Sequence, residues 1–250
     1  MTMASITVVI PVLDDAEHLA VCLRALASQT RPADEIVVVD NGSADDSAAV
    51  ARSFGARVLR EPLRGIAPAN ATGFDAAAGD VIARLDADSV PAPDWLERIE
   101  AAFRDDPELA AITGSADFHD GSPVVNWVGR EVYLRWYFWA MGRLLGHPPL
   151  FGSNLALRSS VWREVRAEVH RDDPRMHDDL DLSFQLAPGM RVVRDDSLGM
   201  SISSRPFSSA RSFALRSWRG VVTLAVNRGA RRRHAAASAA SLLPIPRPRG

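Results

Sequence analysis

Two periods alternate along the first ninety residues. The run Ile6-Thr7-Val8-Val9-Ile10-Pro11 is β-branched and continuous, as a strand buried on both faces requires, and Pro11 closes it. From Ala16 to Ser28 the apolar positions fall at Leu19, Cys22, Leu23 and Leu26. That is the spacing of one helix face, with Asp14 or Asp15 placed as its cap. Glu35–Val39 predicts a second strand that ends at Asp40-Asn41-Gly42-Ser43, and 45–54 a second helix with Ser43 as its candidate cap. A short strand over 57–60 and a helix over 67–78, stopped by Gly79, lead to a strand over 81–85 that ends at Asp86-Ala87-Asp88. Strictly alternating elements with near-continuous apolar strands predict a mostly parallel sheet covered by helices on both faces. In such sheets ligands bind beyond the carboxyl ends of the strands, where the three polar stretches collect here.

The second half is less regular. It predicts a helix over 95–103, a strand over 110–118 and an aromatic-rich helical stretch over 124–145 holding Trp127, Tyr133, Trp136, Tyr137, Phe138 and Trp139. A strand over 150–157, a short helix over 179–186 and a helix over 208–226 follow. We divide the chain into a domain over 1–200, in halves over 1–90 and 91–200. A helical extension over 201–227 and a basic tail over 228–250 complete it.

Charge changes the picture at the C-terminus. The chain of 250 residues has no lysine, and its net charge of -2 hides ten arginines and no acid over 201–250. A basic tail on an acidic body suggests a polyanionic partner such as a phospholipid surface, and equally a high-GC arginine bias. One cysteine, Cys22, excludes an intrachain disulfide and a thiolate metal cluster and predicts a reducing, cytoplasmic setting. The sequence predicts no signal peptide, and no apolar run reaches the roughly 20 residues of a bilayer span.

Three stretches carry chemistry. Two carboxylates one residue apart at a strand end, Asp86 and Asp88, can hold a hard divalent cation and leave positions for diphosphate oxygens. Taken alone they are equally a solvated turn. Asp40, before the tight turn at Gly42, can accept from a ribose hydroxyl or a base N–H, or simply close a βα turn. The run Met176-His177-Asp178-Asp179-Leu180-Asp181 concentrates acids, which raises one carboxylate toward general-base duty or decorates a helix start.

In order and spacing these stretches, with Ala69-Asn70, Gly73 and Gly152-Ser153-Asn154-Leu155-Ala156-Leu157-Arg158, resemble the inverting family 2 glycosyltransferases from Val8 to about Leu186. The resemblance implies a GT-A type fold, a Rossmann-like mostly parallel sheet with a helical C-terminal extension, and metal-dependent, non-processive transfer of one sugar. It implies a nucleotide-diphosphate sugar donor bound by Pro11, Val12, Asp14, Asp40, Asn41, Gly42, Arg64, Asn70, Asp86, Ala87 and Asp88. Asp88 and Asp86 would hold Mn2+ or Mg2+, Asp179 would be the catalytic base with Asp178 in support, and Gly152, Ser153 and Asn154 would lie in the acceptor and donor-sugar region. Its acceptor would be a saccharide, a lipid-linked carrier or a small molecule in cell-envelope glycan synthesis, with no nucleic acid and peripheral contact with the inner face of the membrane. The sequence carries no sign of an oligomeric state.

Three departures stand out: Asp178 where the first acid is usually Glu, Ala69 where Arg commonly precedes the Asn, and Gln185 where an Arg is common. The first shortens reach without changing charge; the last two remove positive charge and shift phosphate neutralisation toward the metal or toward Arg205 and Arg211. The Gln-x-x-Arg-Trp motif of processive relatives is missing around Trp218. Two alternatives stay open: an inactive GT-A-like binding domain and a sugar nucleotidyltransferase.

Overall fold

Strands β1 (Ile6–Val12), β2 (Glu35–Asp40), β3 (Arg57–Arg60) and β4 (Val81–Arg84) form where the β-branched runs stand. Helices α1 (Ala16–Ala27), α2 (Ser47–Ser53) and α3 (Ile66–Ala76) join them in the computed structural model, which describes residues 4–118, 134–203 and 210–230. Then come β5 (Val90–Pro91), α4 (Trp95–Asp105), β6 (Leu109–Thr113), β7 (Asp117–Phe118), α5 (Arg135–Leu145), β8 (Leu155–Arg158) and α6 (Ser159–Val165). The chain continues through α7 (Asp178–Gln185), β9 (Arg191–Arg194), β10 (Met200–Ile202) and α8 (Ala210–Val226).

The main sheet has seven strands in the order β3-β2-β1-β4-β8-β6-β9, and β5-β10-β7 form a small second sheet. Every pairing in the main sheet is parallel except those of β8, which runs against both β4 and β6. The chain turns outward from β1 to β2 and β3 and then returns to the other side of β1 with β4, so the strand order reverses there and opens a crevice. Because β8 is reversed, its beginning, not its end, lies beside the end of β4, with Leu155 opposite Arg84.

Alternation splits the core in two. Ile6, Val8, Ile10 and Val12 face α1 and α4 through Leu19, Cys22, Leu23, Trp95, Leu96 and Ile99. Val9, Val37, Val39 and Ile82 face α3, α6 and α7 through Phe74, Trp162 and Leu182, with Phe74 and Trp162 edge to face at 5.1 Å. Among the described residues no helix is long and apolar enough to cross a membrane.

Several local expectations are corrected. Asp15 stands at the start of α1 without a side-chain cap; Asp45 accepts the Ala16 N–H at 2.9 Å instead. Ser43 does not cap α2, which begins four residues later, and Asp45 again accepts the Ser47 N–H. The helix before Gly79 already ends at Ala76; Gly79 lies in the following loop and donates its N–H to Thr7 Oγ1. The strand over 110–118 is two strands in two sheets, divided where Asn154 binds the intervening segment. The strand over 150–157 is shorter, because a turn over 151–154, closed by the Asn154 N–H on the Phe151 carbonyl, precedes it. Trp127, Tyr133, Arg205 and the basic residues after 230 lie outside the described residues.

Candidate active site

The turns after β1 and β2 are tied to each other. Asp14 adopts a left-handed φ of 50°, which Asp tolerates, and its Oδ1 accepts the Ala44 N–H at 2.6 Å. In return its own N–H donates to Ser43 Oγ at 3.1 Å. Gly42, at φ 88°, supplies the left-handed turn that lets Asp40 Oδ1 accept the Ser43 N–H at 2.9 Å. Asn41 is buried and grips the next loop from both ends of its amide: Nδ2 donates to the Glu61 and Leu63 carbonyls and Oδ1 accepts from the Gly65 N–H.

Beyond these turns lies a cavity of about 500 Å³. Pro11, Val12, Asn41, Arg64, Asp86, Ala87 and Asp88 are on its wall, with Asp173, Met176 and Arg219 closing the far side. Asp14, Asp40 and Gly42 stand behind this wall, in the turns that shape it. Asn70, Asp178 and Asp179 line a neighbouring small void of about 20 Å³ together with Arg84. Arg64 reaches Asp14 at 3.7 Å, so it borders the mouth of the large cavity.

Arg84 is the residue that joins the two. It sits in β4 with 2% of its surface exposed, donates from Nη2 to Asp86 Oδ1 at 2.7 Å, and pairs through Nη1 with Asp178 Oδ2 at 3.1 Å. Burial lowers the guanidinium pKa, but Asp86, Asp178 and Asp179 outweigh it and hold the pKa above the usual value. Ser153 completes Asp86 from the other side, with Oγ donating to Oδ2 at 2.6 Å. The backbone N–H of Gly152 donates to Asp179 Oδ2 at 2.8 Å. Asn154 uses its amide inside the protein, bound to Trp95 Nε1 and to the Ser115 and Leu198 carbonyls.

The paired acids at the start of α7 are driven apart. Burial pushes the Asp178 carboxyl up; Arg84 opposes this and the Asp179 charge adds to it. Burial works the same way on Asp179, yet it is overcome by His177, Arg84 and the Gly152 N–H, which hold the carboxyl far below the usual range. His177 Nδ1 lies 2.5 Å from Asp179 Oδ1, and despite burial that carboxylate raises the imidazole pKa. Asn70 Nδ2 donates to Asp178 Oδ2 at 2.7 Å, while its own Oδ1 is buried with no hydrogen-bond partner among the described residues.

Helix α8 braces this cluster from behind. Thr223 Oγ1 accepts the His177 N–H, and Asn227 donates to the buried Asp181 at 2.8 Å. Gln185, where an arginine was expected, donates to Asn227 Oδ1 at 2.7 Å and belongs to this brace. Arg219 of α8 and Arg64 are the cations on the cavity wall among the described residues. Arg205 and the side chain of Arg211 lie outside the described residues. Arg84, His177 and Arg219 escaped sequence reasoning; a charged residue inside the apolar run Val81-Ile82-Ala83-Arg84-Leu85 was the available signal.

Asp86 and Asp88 both place carboxylates on the wall, the hard oxygen chemistry that a divalent cation takes, while the two Asp86 oxygens accept from Arg84 and Ser153. His177, Asp178 and Asp179 bring ligand atoms within 4.8 Å of one another, a second group with that capacity.

Comparison with known proteins agrees with this geometry. The family model described as Glycosyl transferase family 2 matches residues 7–169. Glycosyltransferase AglE of Haloferax volcanii is 37% identical over 105 residues, 39% of this chain and 34% of that protein. Glucosyl-dolichyl phosphate glucuronosyltransferase of the same organism is 26% identical over 164 residues, 60% of this chain and 50% of that protein. The chain therefore spans about a third to a half of the length of these relatives. An uncharacterized glycosyltransferase of Mycobacterium tuberculosis is 31% identical over 225 residues, 87% of this chain and 93% of that one. Among solved structures, glucosyl-3-phosphoglycerate synthase from Mycobacterium tuberculosis, crystallised with Mn2+, UDP-glucose and phosphoglyceric acid, shares the fold. Its TM-score is 0.65 at 20% identity, covering 90% of this chain and 80% of that one. With the reversed strand order at the crevice and the acidic motifs gathered at one sheet edge, the chain belongs to glycosyl transferase family 2 and has its GT-A fold.

Proposed function

We propose that the chain is an inverting, non-processive glycosyltransferase that moves one sugar from a nucleotide-diphosphate sugar to an acceptor hydroxyl. The observation that carries this reading is the link through Arg84 between Asp86, on the wall of the 500 Å³ cavity, and the Asp178–Asp179 pair. It sets a donor-sized space directly beside a buried ionised carboxylate. The nucleotide lies against Pro11, Val12 and Asn41, with the Asp40 turn behind them and residues 1–90 as the donor half. Residues 91–200 form the acceptor half, and 201–227 an extension that holds the acidic motif in place.

Arg64 and Arg219 balance the diphosphate, which compensates for Ala69 and Gln185. Asp88, with Asp86, would hold Mn2+ or Mg2+, and a cation there would supply positive charge to the departing diphosphate. Asp179 takes the proton of the acceptor hydroxyl as its oxygen forms a bond to C1 and the C1–O bond to the diphosphate breaks. His177, Arg84 and the Gly152 N–H keep Asp179 ionised and lower its basicity. The clustering thus does not raise this carboxylate toward general-base duty as the sequence suggested; burial raises its neighbour Asp178 instead. The buried, unpartnered Asn70 Oδ1 supports a contact to a hydroxyl of the donor. The acceptor is a saccharide, a lipid-linked carrier or a small molecule, and the exposed tryptophans of α5 support peripheral contact with a membrane.

The test is a thermal-shift screen of UDP-, GDP- and dTDP-sugars with and without Mn2+ or Mg2+, followed by a transfer assay with the stabilising donor. A cation-dependent shift and turnover are expected. A shift without transfer or hydrolysis would identify an inactive binding domain. Release of pyrophosphate from a nucleoside triphosphate and a sugar phosphate would identify a nucleotidyltransferase.

A further inference from the structure

His177 stands at the N-cap of α7, where Ser, Thr, Asp or Asn would ordinarily accept a backbone N–H of the first turn. Its side chain makes no such cap. Instead Nδ1 reaches forward to Asp179 Oδ1 at 2.5 Å. An ionised carboxylate has no proton to give, so Nδ1 carries the hydrogen of this bond. The Gly152 N–H holds Oδ2 of the same carboxylate at 2.8 Å. One donor on each oxygen, from two separate segments, fixes the plane of the carboxylate as well as its place. His177 is itself fixed through its main chain. Its carbonyl accepts the Asp181 N–H at 2.8 Å, and its N–H donates to Thr223 Oγ1 at 2.8 Å. Thr223 is wholly buried in α8, and its hydroxyl hydrogen goes to the Arg219 carbonyl at 2.9 Å, one turn back. That leaves the oxygen lone pairs for His177. Hydrogen bonds thus run without a break from the backbone of α8 through Thr223 and His177 to Asp179. Neither His177 nor Thr223 is on the wall of the 500 Å³ cavity.

We propose that His177 is a positioning residue for Asp179, held in turn by Thr223, and that the two govern removal of the acceptor proton without taking part in donor binding. This rests on the reading of Asp179 as the base and adds what aims it. A base works only when a lone pair points at the proton within hydrogen-bond reach, and a misplacement of about 1 Å can cost about 10²-fold. Each carboxylate oxygen has two lone pairs, so the bonds from His177 and Gly152 leave one on each for the incoming proton. The bond from His177 also lowers the basicity of Asp179, so what it gives the reaction is orientation and not strength.

The experiment follows release of nucleoside diphosphate from UDP-, GDP- and dTDP-glucose with Mn2+, with water in place of the acceptor. The water oxygen bonds to C1, its proton passes to Asp179, and the C1–O bond to the diphosphate breaks. His177→Ala is expected to lower kcat about 10–100-fold and to leave the donor KM within about twofold. Asn places its amide nitrogen where His has Nδ1, so His177→Asn keeps the bond and should recover kcat to within about threefold of the parent. Thr223→Val removes the acceptor of the His177 N–H at nearly constant volume and should lower kcat about three- to tenfold. Thr223→Ser keeps the hydroxyl and should restore it. Melting temperatures are taken on all four variants; if His177→Ala does not fold, the Thr223 pair decides on the same readouts. In proton NMR the parent should show a downfield, slowly exchanging Nδ1 proton that His177→Ala lacks. An unchanged kcat in His177→Ala overturns the proposal, and so does an Asn variant no better than the Ala one. A loss of donor affinity that matches the loss of kcat also overturns it, because it would make the two residues a support for the whole cavity. A missing Nδ1 proton refutes the bond and leaves glycosyl transfer standing. A parent that binds a donor and releases no nucleoside diphosphate sinks glycosyl transfer, and this role with it.

Discussion

Gly152 and Arg84 meet at a distance only glycine allows: a Cβ at position 152 would stand 2.0 Å from the guanidinium Nη1. Gly152→Ala must therefore displace the guanidinium from Asp86 and Asp178 or move the turn that carries the Asp179 hydrogen bond. Overpacking together with a disturbed buried ion pair should cost about 2–4 kcal/mol, read as a lower urea midpoint. An unchanged midpoint would show that Arg84 relocates freely and does not hold the acids together.

Asp179→Asn should separate binding from chemistry. The amide oxygen can still accept from the Gly152 N–H, but it cannot take a proton at neutral pH. Donor affinity by calorimetry should hold while single-turnover rates fall by about 10²–10⁴-fold. A rate near the parent's would move the base role to Asp178 or Asp181.

Asp86 and Asp88 should behave differently when neutralised. Asp86 carries Arg84 and Ser153 on its two oxygens, so Asp86→Asn should lower thermal stability as well as metal-dependent binding of a nucleoside diphosphate. Asp88→Asn, at the more direct ligand of the cation, should lose more of the metal-dependent binding. Unchanged cation dependence in both variants would remove the metal from this position.

At the opposite sheet edge Glu35 joins three segments, accepting from the Thr7 hydroxyl, Arg57 and the Ala78 N–H. Burial favours its neutral form, but these donors win and its pKa is lowered. A lowered folded pKa gives stability that is present above the unfolded value of about 4.3 and is lost as pH falls through the folded one. The stability gap between the parent and Glu35→Gln should thus be largest near neutrality and shrink below about pH 4.3. A gap that is flat in denaturation experiments from neutrality to strong acid would contradict the assignment.

Cys22 is fully buried, and burial, with the Asp88 and Asp86 charges, pushes its thiol well above the usual range. It should resist a thiol reagent at neutral pH in the folded protein and react fully in denaturant. Rapid native labelling would mean that α1 opens from the sheet.

The strands and helices up to β4 were legible because each carries one clear period, and the residue types at the strand ends announced a ligand edge. Legibility failed where a partner distant in sequence decides local structure. Residues 110–118 read as one strand, yet the segment between β6 and β7 is pulled away by Asn154, which donates to the Ser115 carbonyl and accepts the Gly114 N–H on its own carbonyl. The caps failed for the same reason: Asp45 reaches back across 29 positions to the start of α1, while the nearer acids serve other bonds. Among the candidate site residues the acids were visible by type. Arg84 was not, because its worth depends on Asp178 and Gly152, and nothing local marks either as its neighbour.

The reversed strand β8 also has a meaning for synthesis. It fills the place beside β4, yet about 70 residues separate the two in the chain. At roughly 5–20 residues per second, the ribosome needs about 4–14 s to supply the missing neighbour. Throughout that interval the nascent chain has an apolar strand with one unpaired edge, the kind of template on which chains stick together. Arg84 is the last residue of that strand and emerges with Asp86 but before Asp178, so its charge stands at this open edge while the edge is bare. An inward-pointing charge on a bare edge strand is one of the devices that discourage a second copy from pairing there, and Asp178 and Asp179, which complete its burial, follow β8 in the chain.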